Sequence, residues 1–177
     1  SNKAWLWQME WPGKSNANAS VSQAVPLPPN QFLLSKGYGG GAALFQLTPT
    51  RSGKFKVQNI WRSTKVLKTK FCNVVIHKNH VYGLSDGILE CVELATGRRA
   101  WKKGRYGHGQ LLGVGDHLLV QMEFGKMALV DATPEEFREV SRFTPLDGKT
   151  WNNPTLYGNR LLVRNGLEAA CYELATD

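Results

Sequence analysis

The chain has 177 residues, enough for one domain with a real core, and its 42% apolar and 20% charged fractions are ordinary for a globular protein. No apolar stretch approaches the roughly 18 residues that span a bilayer, and three cysteines without CxxC spacing signal neither a zinc site nor a closed disulfide framework. The net charge of +8 permits attraction to a polyanion without naming one, while 18 Gly, 8 Pro and 6 Trp favour short strands, tight turns and aromatic anchors.

Residues 3–11, reading Lys-Ala-Trp-Leu-Trp-Gln-Met-Glu-Trp, form a candidate outer strand with no inner strands before it. They are not a signal peptide, which leaves the compartment open. Residues 15–22 read as a polar, low-complexity loop. A short pattern then occurs four times: an Asn or Asp, one further polar residue, and an apolar run. The copies begin at Asn30, Asn79, Asp116 and Asn159, roughly forty residues apart, the length of a four-stranded propeller blade. Turn formers precede three of them, as in Pro29-Asn30, Gly115-Asp116 and Gly158-Asn159.

Each anchor sits between a short first strand, such as 73–76 or 110–114, and an apolar second strand whose continuous hydrophobicity implies burial on both faces. A third strand follows a glycine in every copy, over 40–47, 87–94, 125–132 and 166–174, and fourth strands end on aromatics over 55–61, 98–101 and 137–143. These readings predict an all-β β-propeller of about four four-stranded antiparallel blades, a partial or half propeller, over 27–62, 72–102, 109–143 and 153–177, with 3–11 as the extra outer strand. Cys91 and Cys171 fall at matching places, in Cys-Val-Glu-Leu-Ala-Thr and Cys-Tyr-Glu-Leu-Ala-Thr, and are expected to be buried free thiols.

The second copy, Val81-Tyr82-Gly83-Leu84-Ser85-Asp86-Gly87 leading to Glu93-Leu94-Ala95-Thr96-Gly97 and closing at Trp101, resembles the quinoprotein-like, or PQQ-like, propeller repeat of bacterial proteins. The other copies are degenerate; Asp131-Ala132-Thr133 keeps the acidic turn without the Thr-Gly and Trp. The resemblance implies seven or eight blades in a complete ring, and family members often work outside the cytoplasm. It also places Trp61 and Trp101 as architectural rings packed between blades.

Loops joining an outer strand to the next inner strand share a face with the second-to-third-strand turns, and that face is the candidate binding surface. Its predicted ligand-binding residues are Lys68, Lys70, Asn73, Arg105, Tyr106, His108, Trp151, Asn152 and Asn153, a set of donors, an imidazole and an indole suited to a polar or anionic ligand. Asp147 reads as almost the only acid there. A quinone enzyme needs calcium ligands and a carboxylate base, and its relatives carry adjacent cysteines that this chain lacks, so no PQQ or other cofactor, no metal and no catalytic residue is predicted. His77 and His80 flank a turn and read as surface residues. No specific nucleic-acid signal is present.

The expected function is a non-catalytic scaffold or binding module presenting a loop face to a protein, polymer or anionic ligand. The alternative is a fragment of a quinone-dependent dehydrogenase-like enzyme whose active site needs further blades. Stacked blades leave apolar ends that something must cover. Residues 3–11 clasping the last blade of the same chain, a homodimer completing the ring, or further blades of a longer protein would each do so.

Overall fold

A computed structural model describes residues 4–12 and 19–175. They form four antiparallel sheets set side by side in an arc. Blade 1 contains β1 (Val25–Leu27), β2 (Gln31–Lys36), β3 (Gly41–Pro49) and β4 (Phe55–Ser63). Blade 2 contains β5 (Val75–His77), β6 (His80–Ser85), β7 (Ile88–Glu93) and β8 (Arg99–Arg105), and blade 3 contains β9 (Gln110–Val114), β10 (His117–Gln121), β11 (Met127–Asp131) and β12 (Glu139–Phe143). Blade 4 has three strands, β13 (Thr155–Tyr157), β14 (Arg160–Arg164) and β15 (Ala169–Glu173). In every sheet the strands pair in chain order, as a meander.

The repeated anchor has a structural job. The backbone carbonyls of Asn30, Asn79, Asp116 and Asn159 accept the amides of Leu47, Leu94, Ala132 and Leu174, at 2.7, 2.9, 2.9 and 2.8 Å. The turn between first and second strands is thereby tied to the end of the third, satisfying a backbone pair that the ladder would otherwise leave open.

Side chains alternate across each sheet, giving every blade a forward face towards the next blade and a rear face towards the previous one. The forward pairs are Leu33 with Leu44, Tyr82 with Cys91, Leu119 with Leu129, and Leu162 with Cys171. The rear pairs are Phe32 with Phe45, Val81 with Val92, Leu118 with Val130, and Leu161 with Tyr172. Three apolar cores fill the spaces between consecutive blades, which is why both faces of the middle strands are hydrophobic. A β-bulge lies just after the forward-facing residue of the third strand in blades 1, 2 and 3, at Leu44/Phe45, Cys91/Val92 and Leu129/Val130, and adds twist where the blade reaches its outer edge.

The closing tryptophans bridge blades. Trp61 Nε1 donates to the Leu94 carbonyl at 2.8 Å, and Trp101 Nε1 to that of Thr133 at 2.9 Å, each reaching from one blade's outer strand to the next blade. Gly97, in the Thr-Gly turn, has φ of 71°, and a Cβ there would lie 2.6 Å from the Trp61 ring, so both backbone angle and space require glycine.

Two expectations are corrected. The described residues of 3–11 make no β-ladder; they lie along the rear face of blade 1, where Trp7 stacks on Phe32 at 4.8 Å and Trp11 meets Phe45 edge-on at 6.0 Å. Their apolar residues find partners on that face, while the last blade lies at the far end of the arc. Cys171 is exposed although it matches buried Cys91 in register, because among the described residues no sheet lies on the forward face of blade 4.

Candidate functional site

The outer-to-inner connections follow β4, β8 and β12, and at the inner end of the arc they bring three rings together. Phe71 lies 5.2 Å from Trp151, and the His108 ring meets Phe71 edge-on at 6.0 Å. Buried Gln110, the first residue of β9, fixes the group: its Nε2 donates to the carbonyls of Phe71 at 2.7 Å and Trp151 at 2.9 Å. One side chain from blade 3 therefore ties the connection before blade 2 to the connection before blade 4.

Glu123, on the turn between β10 and β11, holds the outer side of the cluster. Its carboxylate accepts the backbone N–H of His108 at 3.0 Å and the indole N–H of Trp151 at 3.2 Å. Partial burial works to raise the Glu123 pKa, but these donors together with nearby His108 and Lys149 outweigh it and hold the carboxyl below its ordinary range. Lys149 lies over the Trp151 ring, 4.6 Å from its centre. Among the described residues the buried His108 Nδ1 has no hydrogen-bond partner. Beside the cluster is a cleft of about 520 Å³ lined by Arg105, Tyr106, His108, Glu123, Phe124 and Lys126 among others, and Phe124 is exposed at its edge.

The predicted residues divide into several environments. His108 and Trp151 belong to the ring cluster, and Arg105 and Tyr106 line the neighbouring cleft. Tyr106 is buried and anchors the cleft wall by donating its hydroxyl to Glu139 at 2.6 Å; burial and that carboxylate push its pKa well up. Lys68 pairs with Asp86, and Lys70 lies 3.8 Å from the same carboxylate and over the Tyr38 ring. Burial tends to raise Asp86, yet Lys68, Lys70 and Lys102 together hold it low. Asn73 accepts the Gln23 amide at 2.8 Å, a structural bond. Asn152 is half-buried in the last connection. Asn153 is not in the cluster; it borders a shallow apolar depression on the outer face of blade 4 with Leu162, Ala169 and Cys171.

Phe71, Gln110 and Glu123 were missed in the sequence. Gln110 carries a usable signal, as a polar residue opening an otherwise apolar inner strand; Phe71 and Glu123 carry none. The expectation that Asp147 is almost alone is also wrong: Asp86 and Glu123 arrive on the second-to-third-strand turns, which the linear order separates from the basic loops. A larger cleft of about 700 Å³ lies at the opposite end of blades 2 and 3. Two of its carboxylates are engaged by cations, Asp131 by Arg138 and Asp116 by Lys78. Among the described residues no group of three His, Cys, Asp or Glu is placed to hold a metal ion.

No family model and no curated protein matches the chain. Among solved structures it is similar to BamB from Moraxella catarrhalis, with TM-score 0.67 and 16% identity, over 90% of this chain and 45% of BamB. It also matches the computationally designed Ika4 protein, with TM-score 0.62 and 8% identity, over 96% of this chain and all of Ika4. The designed Ika8 protein matches with TM-score 0.57 and 8% identity, over 85% of this chain and 44% of its own. The chain thus spans less than half the length of BamB. At these identities the likeness shows the fold alone: four antiparallel sheets in an arc, part of a β-propeller.

Proposed function

We propose that this chain is a non-catalytic binding module, built on PQQ-like propeller repeats, that takes an acidic protein segment or another anionic chain on its loop face. The observation that carries this reading is the convergence of Phe71, His108 and Trp151 from three successive connections beside a cleft edged by Arg105 and Lys126. An aromatic floor with cations around it suits a flexible ligand bearing carboxylates, since the rings give contact area and the ammonium and guanidinium groups give charge recognition.

The enzyme alternative is weaker on chemical grounds. A tricarboxylated quinone with its calcium needs uncommitted carboxylates and amides. Asp86 is engaged by two lysines, Glu123 by an amide and an indole, and Glu139 by Tyr106 and Arg142. The donor set does not fit that group.

The test is titration of the full chain with poly-glutamate, followed by calorimetry and tryptophan fluorescence. Binding that weakens with salt, falls roughly tenfold in Trp151→Ala and falls again in Lys126→Glu is the expected result. No binding, or binding indifferent to both substitutions, overturns the reading.

A further inference from the structure

The rear face of blade 2, which packs towards blade 1, changes character along its length. From the anchor turn towards the loop face its cross-strand positions read Val81 with Val92, Gly83 with Glu90 and Ser85 with Ile88, and the outer strand sets Lys102 opposite Glu90. The connection after β4 enters this polar end. A Cβ on Gly83 would lie 3.0 Å from the Leu67 side chain, so the bare backbone there makes the space that Leu67 fills. Leu67 and Thr69 are buried, and the alternate residues Lys68 and Lys70 keep 31% and 29% of their side chains exposed.

Both of these ammonium groups reach Asp86 in the turn between β6 and β7. Lys68 pairs with its carboxylate, and Lys70 Nζ lies 3.8 Å away. Main-chain bonds fix the arrangement: the Asp86 amide donates to the Lys68 carbonyl at 3.2 Å, and the Lys68 amide donates to Ser85 Oγ at 3.1 Å. Ser85 is fully buried, and its Oγ also accepts Lys102 Nζ at 3.2 Å. Two backbone segments and one buried hydroxyl therefore gather three lysines at one place.

The charges gathered there do not balance. Lys68, Lys70, Lys102 and Arg99 meet two carboxylates, Asp86 and Glu90. Glu90 is buried and committed to Arg99 and the Leu67 amide, which leaves Asp86 as the nearest free-standing acid for three ammonium groups. Burial holds Lys102 below the ordinary lysine range, and Lys68 and Arg99 add to that effect against Glu90 and Asp86. The cluster is short of two negative charges. A phosphate monoester carries close to two at neutral pH, with three strong acceptor oxygens, whereas a carboxylate or a sulfate ester carries one. Lysine, a compact charge with three rotatable donors, suits such a tetrahedral group.

We propose that Lys68, Lys70 and Lys102 form a site for a phosphate monoester, and that the Asp86 carboxylate holds the three lysines together until the phosphate displaces it. Asp86 is placed for this role. It and Gly87 both lie at positive φ, 52° and 80°, the backbone of a two-residue hairpin turn, and the Asp86 side chain is 41% exposed. Rotation of that side chain alone frees the lysines and leaves the hairpin in place. The cleft beside the ring cluster begins at Asp86 and Gly87, which gives the organic part of the ester room to lie. The site uses neither Trp151 nor Lys126, so it stands apart from the acidic segment proposed for the ring cluster.

Titration of the full chain with methyl phosphate, in phosphate-free and sulfate-free buffer at about pH 7.5, where the ester is a dianion, tests the proposal by phosphorus line width and calorimetry. Methyl sulfate is the control and is expected to bind roughly tenfold more weakly. Lys70→Gln and Lys102→Gln should each weaken methyl phosphate binding roughly five- to tenfold. Asp86→Asn should do the opposite and tighten it roughly fivefold, because asparagine keeps the turn and removes the competing charge. A merely structural ion pair gives no such gain, and circular dichroism verifies that each variant folds. Trp151→Ala should leave methyl phosphate binding unchanged, so failure of this site and failure of the ring-cluster reading are separate results. A phosphoserine peptide and glucose 6-phosphate then distinguish a modified protein from a small metabolite as the source of the ester. No methyl phosphate binding, equal binding of methyl sulfate, or weaker binding in Asp86→Asn overturns the proposal.

Discussion

Tyr82 and Cys91 face each other across β6 and β7, and Leu162 and Cys171 face each other in the same register across β14 and β15. The first pair is fully buried, whereas Leu162 and Cys171 are both exposed. The difference arises from the neighbour: blade 3 lies on the first pair, and Trp101 fills the outer corner beside Tyr82, 6.0 Å from its ring. Burial in this fold is conferred by the next sheet, so identical positions in two blades have different energies.

Removing the cover from the first pair should produce the largest effect. Trp101→Ala opens a cavity between blades 2 and 3 and removes the bond to the Thr133 carbonyl, at a cost of about 4 kcal/mol. Trp151→Ala, at a half-exposed ring on the loop face, should cost less than about 1.5 kcal/mol. Urea denaturation of the two variants gives the comparison directly, and equal losses would mean that the blade interfaces do not dominate stability.

Glu90 supplies the next step down. Its carboxylate is fully buried near the blade 1 interface, accepts the Leu67 amide at 2.9 Å and pairs with Arg99. Leu67 is itself buried with φ of 47°, a strained angle for leucine that the Glu90 bond helps to hold. Glu90→Ala strands that amide and loses the ion pair, an expected loss of about 2–3 kcal/mol. The matching position on the rear face of blade 4 is Ala170 of β15, which carries no acid.

The repeat anchors were the most legible feature of the sequence, because Asn30, Asn79, Asp116 and Asn159 perform one backbone task four times. Matching Cys91 to Cys171 was equally sound as register, and failed only as a statement of burial, which depends on a neighbouring sheet that local sequence does not describe. The ring cluster was legible in half. His108 and Trp151 stand out as unusual loop residues, whereas Phe71 looks like any aromatic near a strand, and Glu123 reaches the cluster from a turn that belongs to another connection. Residues 3–11 misled because alternating apolar residues mark a face to be covered, and here a sheet surface covers it without a ladder.

The cysteines sharpen the comparison at smaller scale. Burial pushes the Cys91 thiol up to about 11, with neighbouring Tyr82 lowering it in part. Replacing it by serine places a hydroxyl in that apolar core and should cost about 2 kcal/mol, whereas Cys171→Ser should shift stability by less than about 0.5 kcal/mol. Comparable losses at both positions would mean that the forward face of blade 4 is covered within one chain.

The smallest expected effect concerns acid. Asp86, Glu123 and Glu139 are all held below the ordinary carboxylate range, Asp86 and Glu123 against opposing burial, and Glu139 chiefly by its bonds to Arg142. A carboxyl with a lowered folded-state pKa binds protons less readily in the native chain than in the unfolded one. Its stabilisation is complete above the unfolded value near 4 and is lost as pH falls through the lower, folded value. The melting temperature should therefore hold between neutral pH and about 5 and fall below about 4. In Glu123→Gln that acid-induced fall should be shallower, from a lower starting point, and the loss of Trp151 fluorescence contrast on acidification should shrink with it. These carboxylates lie around blades 2 and 3, so the thiol accessibility of Cys171 should not follow the same acid titration in the single chain; if it does, the loop face and the open blade unfold as one unit.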